Sequence, residues 1–458
     1  MKIDFSQLPL TNRAFSEKPM QFCETGHKNV LSSIIHLIAV ETGDRKAREH
    51  WQAAQLRNLL FHASQRSAFW RQRIGTKRNV GDVKLSSLPV LTRADVRTQV
   101  ESEGSLLRPA DPMPVKKHST SGSSGTPVEF FVSEMNAFYN GIRAFAQSFI
   151  EGRDLSLNRV RCKAGIVADD RGFTVTTSPS WAFGLESFIK SGKGKHIQYM
   201  HPNIPLLCDQ LKRDPIGYLV AGSNFVEFIL QHVDPIFLKQ AGTEMWVCLG
   251  GWPDPEIRKK FSAADIAVRA NYSSEEVGLI GHECQAIPGN YHVATSNVIV
   301  EVDTSDRFEI NNRLAGKVLV THLHSYATPF IRYDIGDLAC LEDSCPCGYN
   351  GPVLSNIYGR TKQLLKHPDG RVSPFLIQVS DMGETFAKLT EYRIRQTDIK
   401  TIAVEIAAKE AITPEAIDAF KTLLEARAGD AFDVKITQVA AIDWGRDTKR
   451  LGFRSDVL

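Results

Sequence analysis

Between positions 44 and 75 apolar side chains recur at helical spacing. Leu56, Leu59, Leu60 and Ala63 stand at i, i+3, i+4 and i+7, a stripe that a lone helix leaves in water and that needs a partner surface. Most of residues 1–110 share this helical or connecting character and form a lead-in. From about position 116 the pattern changes. Short β-rich runs at 245–249, 298–302 and 318–321 alternate with helical segments and Gly-rich turns up to about 357, as in a large α/β domain. After Tyr358 it changes again: strand-like runs at 391–396 and 401–406 precede a helix that Thr413 and Pro414 open and Gly429 closes. That helix carries Ile417, Phe420 and Leu424 on one face, and a last strand follows at 432–439. A β-β-α-β order of this length suffices for a small α+β domain. The expected division is therefore a large domain over 1–358 and a small one over 359–458, hinged at the polar junction 359–362.

Composition narrows the class. Of 458 residues, 42% are hydrophobic and 23% charged, enough apolar surface to exclude wholesale disorder. The net charge of +3 is too slight for a surface that neutralises many nucleic-acid phosphates or anionic lipid headgroups, so neither is expected as a partner. The most apolar early stretch, 30–40, is far short of the roughly 20 residues needed to cross a bilayer. The N-terminus lacks the charged start, apolar run and cleavage site of an export signal, which makes the cytoplasm the expected compartment. The eight cysteines are scattered except for Cys340, Cys345 and Cys347, unlike a secreted disulfide framework.

The most informative segment is 118–128, HSTSGSSGTPV. Its glycines let backbone approach a ligand, while exposed N–H groups and the hydroxyls of Thr120, Ser121, Ser123, Ser124 and Thr126 can donate to phosphate oxygens. No Gly-Lys-Ser/Thr follows at Walker spacing and no G-x-G-x-x-G is present, so it is neither of the commonest phosphate loops.

With that loop in place, the chain resembles the adenylate-forming superfamily of acyl- and aryl-CoA synthetases. It is most similar to the phenylacetate-CoA ligase-like branch, including relatives associated with capsular polysaccharide. The resemblance runs through LLFHASQRSAFWRQR (59–73), SSLPVLTRADVR (86–97), TSGSSGTPV (120–128), LGGWPDPEIRKKF (249–261), NYSSEEVGLIG (271–281), TPFIRYDIGDLA (328–339), GRTKQLLKHPDGRVSP (359–374) and a basic tail, in the family's order. It implies an α/β fold with a large N-terminal and a small mobile C-terminal domain. It also implies ATP-dependent activation of a carboxylic acid, with pyrophosphate released and an acyl or aryl adenylate formed. CoA is the implied acceptor; an amine, a hydroxyl, a carrier-protein thiol, AMP transfer, or a non-catalytic nucleotide binder are the alternatives. A homodimer is compatible with the resemblance.

Carried over residue by residue, the resemblance assigns Thr120, Ser121, Gly122, Ser123, Ser124, Gly125 and Thr126 to the β- and γ-phosphates. Glu276 matches the acidic residue that holds Mg²⁺, with Glu275 beside it where the family has a hydroxyl residue. Tyr272 is implied on the adenine or substrate side, Gly250 and Gly251 against adenine, and Trp252 stands where an acidic residue is common. Asp337, next to Gly336, matches the acceptor of the ribose hydroxyls. Arg360 is implied at the ribose or phosphate, Lys362 at the hinge, and Lys449 as the mobile catalytic lysine, with Arg446 and Arg450 as rivals. Trp181, Phe183, Phe188, Ser223, Asn224, Phe225 and Phe228 fall where the family builds its acyl pocket. Separately, Cys345 and Cys347, with Cys284 and His292, supply the soft and borderline ligands of a closed structural zinc site; His282 and Cys340 are alternative ligands.

Overall fold

A computed structural model describes residues 24–458 except 76–79, 109–110, 112–113, 121–126, 166, 168, 183, 201, 231, 251–252, 311, 361–363, 376–388, 409, 430–431 and 444–452. The lead-in is helical: α1 (Thr25–Thr42), α2 (Arg45–Arg66), α3 (Ala68–Ile74) and α4 (Arg93–Glu103). The stripe at 44–75 is two helices, because Ser67 leaves helical geometry to cap α3 with its hydroxyl on the Trp70 N–H. Leu59, Leu60 and Ala63 of that stripe lie in the main core. Helix α4 opens with a reciprocal capping box between Thr92 and Asp95.

A hairpin of β1 (Val115–Ser119) and β2 (Glu129–Ser133) leads into α5 (Glu134–Ile150). Then come β3 (Arg159–Ala164), β4 (Phe173–Ser178), β5 (Gly194–Tyr199), α6 (Ile204–Lys212), β6 (Gly217–Ala221) and α7 (Ser223–Leu230). Next are α8 (Pro235–Gln240), β7 (Thr243–Leu249), α9 (Pro255–Ala263), β8 (Ala267–Ser274), β9 (Gly278–Glu283) and β10 (Tyr291–Val293). The main sheet closes with β11 (Val298–Ile310), β12 (Arg313–His322), β13 (Tyr333–Glu342) and β14 (Val353–Arg360).

These strands form one sheet in the order β11-β12-β13-β14-β10-β9-β8-β7-β6-β3-β5-β4. Strands β5, β3, β6, β7 and β8 run parallel, and the sheet turns antiparallel from β8 to β9. The parallel half reads as buried: all five residues of β6 are covered, and the Trp246 indole on β7 donates to the Ala221 carbonyl at 3.0 Å. A parallel run followed by a reversal leaves a crevice at the carboxyl ends of the strands, where ligands of open α/β sheets bind.

Past Arg360 the small hairpin of β15 (Leu364–Lys366) and β16 (Val372–Pro374) precedes β17 (Leu389–Asp398), β18 (Thr401–Ala408), α10 (Pro414–Ala428), β19 (Asp433–Val439) and β20 (Phe453–Ser455). Four of these strands make a second sheet, β19-β18-β17-β20. Ile394, Ile402, Val404, Phe420, Leu424 and Phe453 gather there into a core of their own. Gly359 and Arg360, two residues of the expected hinge, are the last residues of β14. Lys362 lies outside the described residues.

Candidate active site

A cleft of about 1550 Å³ opens at the carboxyl ends of the parallel strands. Gly222 follows β6, Gly250 follows β7, and Ser274, Glu275 and Glu276 follow the body of β8; all line it. Thr120, Asp337 and Arg360 close it from three other elements. Residues 240 positions apart in the chain, Thr120 and Arg360, thus line one cleft.

Thr120 follows β1 directly and is buried. Its backbone N–H donates to Val128, and its hydroxyl accepts from the Val128 N–H, both at 3.0 Å. The two ends of the Ser/Gly loop are therefore clasped at the head of a hairpin, unlike those of a free linker. Ser121, Gly122, Ser123, Ser124, Gly125 and Thr126 lie outside the described residues, as do Gly251, Trp252, Phe183, Arg446, Lys449 and Arg450.

Asp337 and Arg360 face each other across the β13–β14 ladder as directly paired residues. Gly336, at φ 86°, takes a left-handed conformation just before the carboxylate. The Tyr272 hydroxyl donates to Asp337 Oδ2 at 2.7 Å. Burial pushes the Asp337 pKa above the usual carboxylate range, against the opposing pull of the Tyr272 hydrogen bond and the Arg360 charge. Burial and the Asp337 charge together hold the Tyr272 hydroxyl protonated, well above its ordinary value.

Glu276 is buried, and one oxygen, Oε1, accepts from both Arg93 Nη2 (3.1 Å) and the Tyr333 hydroxyl (3.0 Å). Its Oε2 carries no hydrogen bond among the described residues, which leaves one hard oxygen for a magnesium ion. Glu275 is exposed and lies 4.0 Å from Lys163. Arg93 and Tyr333 were not singled out from sequence; both sit inside blocks of the resemblance, at 86–97 and 328–339.

The aromatic positions divide by helix face. Helix α7 turns Asn224 and Phe228, one turn apart, toward the cleft, while Phe225, Val226 and Ile229 enter the core. Phe225 packs against Tyr199 at 4.9 Å and Ser223 is buried at the start of the helix, so neither is on the cleft wall. Trp181 is on it, fixed by an indole hydrogen bond to the Leu157 carbonyl at 2.8 Å. Phe188 is buried in a satellite core with Trp181.

Away from the cleft, Cys284, His292, Cys345 and Cys347 offer ligand atoms that all lie within 4.8 Å of one another. Cys284 and Cys345 sulfurs are 3.9 Å apart, and Cys347 Sγ is 3.4 Å from His292 Nε2. Tetrahedral zinc with Zn–S and Zn–N bonds of about 2.3 and 2.05 Å requires edges of about 3.8 and 3.6 Å between such ligands. The donor set fits the ion. His292 stacks on Tyr349 at 4.2 Å, and the Arg48 guanidinium of α2 lies over the same ring and bonds the Asn350 carbonyl. His282 instead pairs with Asn271 at 3.2 Å, and Cys340 packs in a separate cluster.

No protein-family model and no curated protein matches the chain. Solved structures do. The chain is similar to 2-hydroxyisobutyryl-CoA ligase in the postadenylation state with 2-HIB-AMP, at 17% identity over 92% of each chain and a TM-score of 0.64. The fold is that of the adenylate-forming CoA ligases. The same ligase with R3-HIB-AMP gives 18% identity, 92% coverage of each chain and a TM-score of 0.64. In the thioesterification state, with 2-HIB-AMP and CoA, it gives 16% identity over 91% and 92% of the two chains and a TM-score of 0.54. The adenylate-forming fold of this chain thus overlays better on the postadenylation arrangement of that ligase. Among the described residues, no helix is long and apolar enough to cross a membrane.

Proposed function

We propose that the protein activates a carboxylic acid with Mg-ATP, releases pyrophosphate, and passes the acyl group to CoA, as in the phenylacetate-CoA ligase-like branch. The observation that carries this reading is the meeting of Thr120, Glu276, Asp337 and Arg360 at one cleft of an adenylate-forming fold. The substrate carboxylate attacks the α-phosphorus, the bond from that phosphorus to the bridging oxygen breaks, and pyrophosphate leaves with the electron pair. Both reactants are anions, so the residues must supply donors and cations where negative charge accumulates.

Asp337, ionised and positioned by Tyr272, accepts the ribose hydroxyls in this reading, and Arg360 beside it reaches ribose or phosphate. The 120–126 loop donates to the β- and γ-phosphates. Glu276 Oε2 would hold Mg²⁺, which neutralises phosphate charge when bound. Arg93 and Tyr333 fix that carboxylate by its other oxygen. Lys449 bridges the carboxylate and the α-phosphate. Movement of the small domain about the segment that follows Arg360 then admits the thiol, which attacks the acyl carbon and expels AMP. The cysteine and histidine cluster would hold a zinc ion, which would tie the loop between β13 and β14 to the β9–β10 hairpin and supply no chemistry, because four protein ligands leave no open position.

Acid-dependent exchange of labelled pyrophosphate into ATP tests the activation step. Product analysis with and without CoA tests the acceptor: a thioester found only with CoA supports it, and an acylated amine or hydroxyl product rejects it.

A further inference from the structure

The charged lining of the cleft is unbalanced. Among the described residues, Arg93, Arg143, Arg153, Arg159, Arg161, Lys163 and Arg360 face it against only Glu275, Glu276 and Asp337. Four of the seven cations have carboxylate company. Arg93 holds Glu276, Arg153 Nε holds Glu151 Oε2 at 2.6 Å, Lys163 is near Glu275, and Arg360 is paired across the ladder with Asp337. Arg143, Arg159 and Arg161 have no ion pair among the described residues.

Two of these unpaired cations are withdrawn from solvent. Arg143, on α5, is 2% exposed; its Nη1 donates to Asn140 Oδ1 at 3.2 Å and its Nε to Ser296 Oγ at 3.4 Å. Its Nη2 is buried with no partner among the described residues, and a buried guanidinium donor left unpaired is costly in a folded chain. The nearest acidic influence is Glu41, whose oxygens are taken by Thr295 and Ser296. Arg159 opens β3 and lies over the Trp181 ring at 5.6 Å. In register it is level with Tyr218 on β6 and Met245 on β7, four residues before the carboxyl end of β7 at Leu249. At strand rise that is about 13 Å below the level of Leu249.

Alternation on β3 makes the feature systematic. Arg159, Arg161 and Lys163 share one face, while Val160 and Cys162 on the other face enter the core. Burial, with the neighbouring Arg161 and Arg153 charges, pulls the Arg159 guanidinium down to about 10, and burial does the same to Arg143. Both remain cationic at neutral pH, Arg143 with a buried unpaired donor and Arg159 crowded by like charge, and an incoming anion would relieve either.

Resting on the adenylation reading, we infer that the acid carries a second anionic group at its far end, received in the cleft by Arg143 and by Arg159 at the depth of Tyr218. Its activated carboxylate lies at the mouth, near Thr120 and Glu276, and its body lies along Trp181 and Tyr218. The phosphates of ATP belong at the strand ends and do not reach this depth. The distal group is a carboxylate or a phosphate monoester, both of which match the planar guanidinium fork.

The test compares dicarboxylic acids of increasing length, their monomethyl esters, and ω-phospho acids of equal length. Each is measured twice: by direct binding, through Trp fluorescence without ATP, and by pyrophosphate exchange. The expected result is binding of one diacid or phospho acid on the order of tenfold to a hundredfold tighter than its monoester or unphosphorylated match. The better of the two arms names the distal group. Arg159→Met and Arg143→Met should each collapse that preference, whereas Arg159→Lys should retain part of it. Should Arg143→Met fail to fold, Arg159→Met carries the test alone, since its side chain is only half-buried. Selective binding without exchange for any acid would uphold the subsite and reject the adenylation reading. Exchange with monoanionic acids and no preference for a second charge would overturn the inference and leave that reading intact; absence of any preference in either measurement also overturns it.

Discussion

The Tyr272 hydroxyl, on the strand that ends the parallel half of the sheet, is bonded to Asp337 Oδ2 on a strand four positions away. One hydrogen bond thus spans the point at which the sheet reverses direction, and it fixes the carboxylate that the proposed mechanism gives to the ribose. Tyr272→Phe removes that bond without changing shape. Nucleotide affinity should fall by roughly 1 kcal/mol, or about fivefold, as measured by AMP titration.

Protonation of Asp337 gives a pH signature. Burial raises its pKa, and Tyr272 and Arg360 pull it back. Nucleotide binding that needs the ionised form should weaken as pH falls, at higher pH than for an ordinary aspartate. In Tyr272→Phe the loss should move to still higher pH. A raised folded pKa also means that the group's contribution to stability is present below the unfolded pKa and is lost as pH rises through the folded value. At neutral pH, Asp337→Asn should therefore melt no lower than the wild type while binding nucleotide at least about tenfold more weakly. A clear loss of thermal stability at neutral pH would contradict this.

Glu276→Gln keeps one acceptor oxygen for Arg93 and Tyr333 but replaces the oxygen offered to magnesium by an NH2 group and removes the charge. Exchange activity should fall on the order of a hundredfold, with partial recovery at high Mg²⁺. Glu275→Gln, at an exposed position, should cost little. The reverse ranking would move the metal to Glu275.

Zinc analysis of the purified protein should find one ion per chain. Cys345→Ser, at a buried ligand position, should release it and lower the melting temperature by about 2–4 °C for each kcal/mol lost, while exchange activity at low temperature persists. A metal-free wild type with unchanged stability in chelator would remove the ion from the account.

Several elements were legible because their signals are local. Thr413 caps α10, Pro414 is its first residue, and Gly429 follows its end, as the cap chemistry requires. The strand runs at 245–249, 318–321 and 401–406 lie inside β7, β12 and β18. The four zinc-type ligands were legible as residue types; their closeness depends on β9, β10 and the β13–β14 loop, whose pairing no spacing reveals. Residues 453–455 were read only as part of a basic tail, yet they form β20, parallel to β17, because Phe453 fits the small core. Partnerships such as Arg93 with Glu276 were illegible, since they join residues 183 apart. The alternation Arg-Val-Arg-Cys-Lys at 159–163 was there to be seen as a strand with one cationic face; it carries charge on a sheet interior, where apolar residues are the default expectation.

The most direct measurement is pyrophosphate exchange into ATP without CoA, for wild type and Lys449→Ala, with aryl, short-chain, amino and dianionic acids. The account predicts exchange stimulated by one acid class in the wild type, and its near-complete loss in Lys449→Ala with ATP binding retained. Wild-type protein that binds ATP yet exchanges no pyrophosphate with any acid would contradict it.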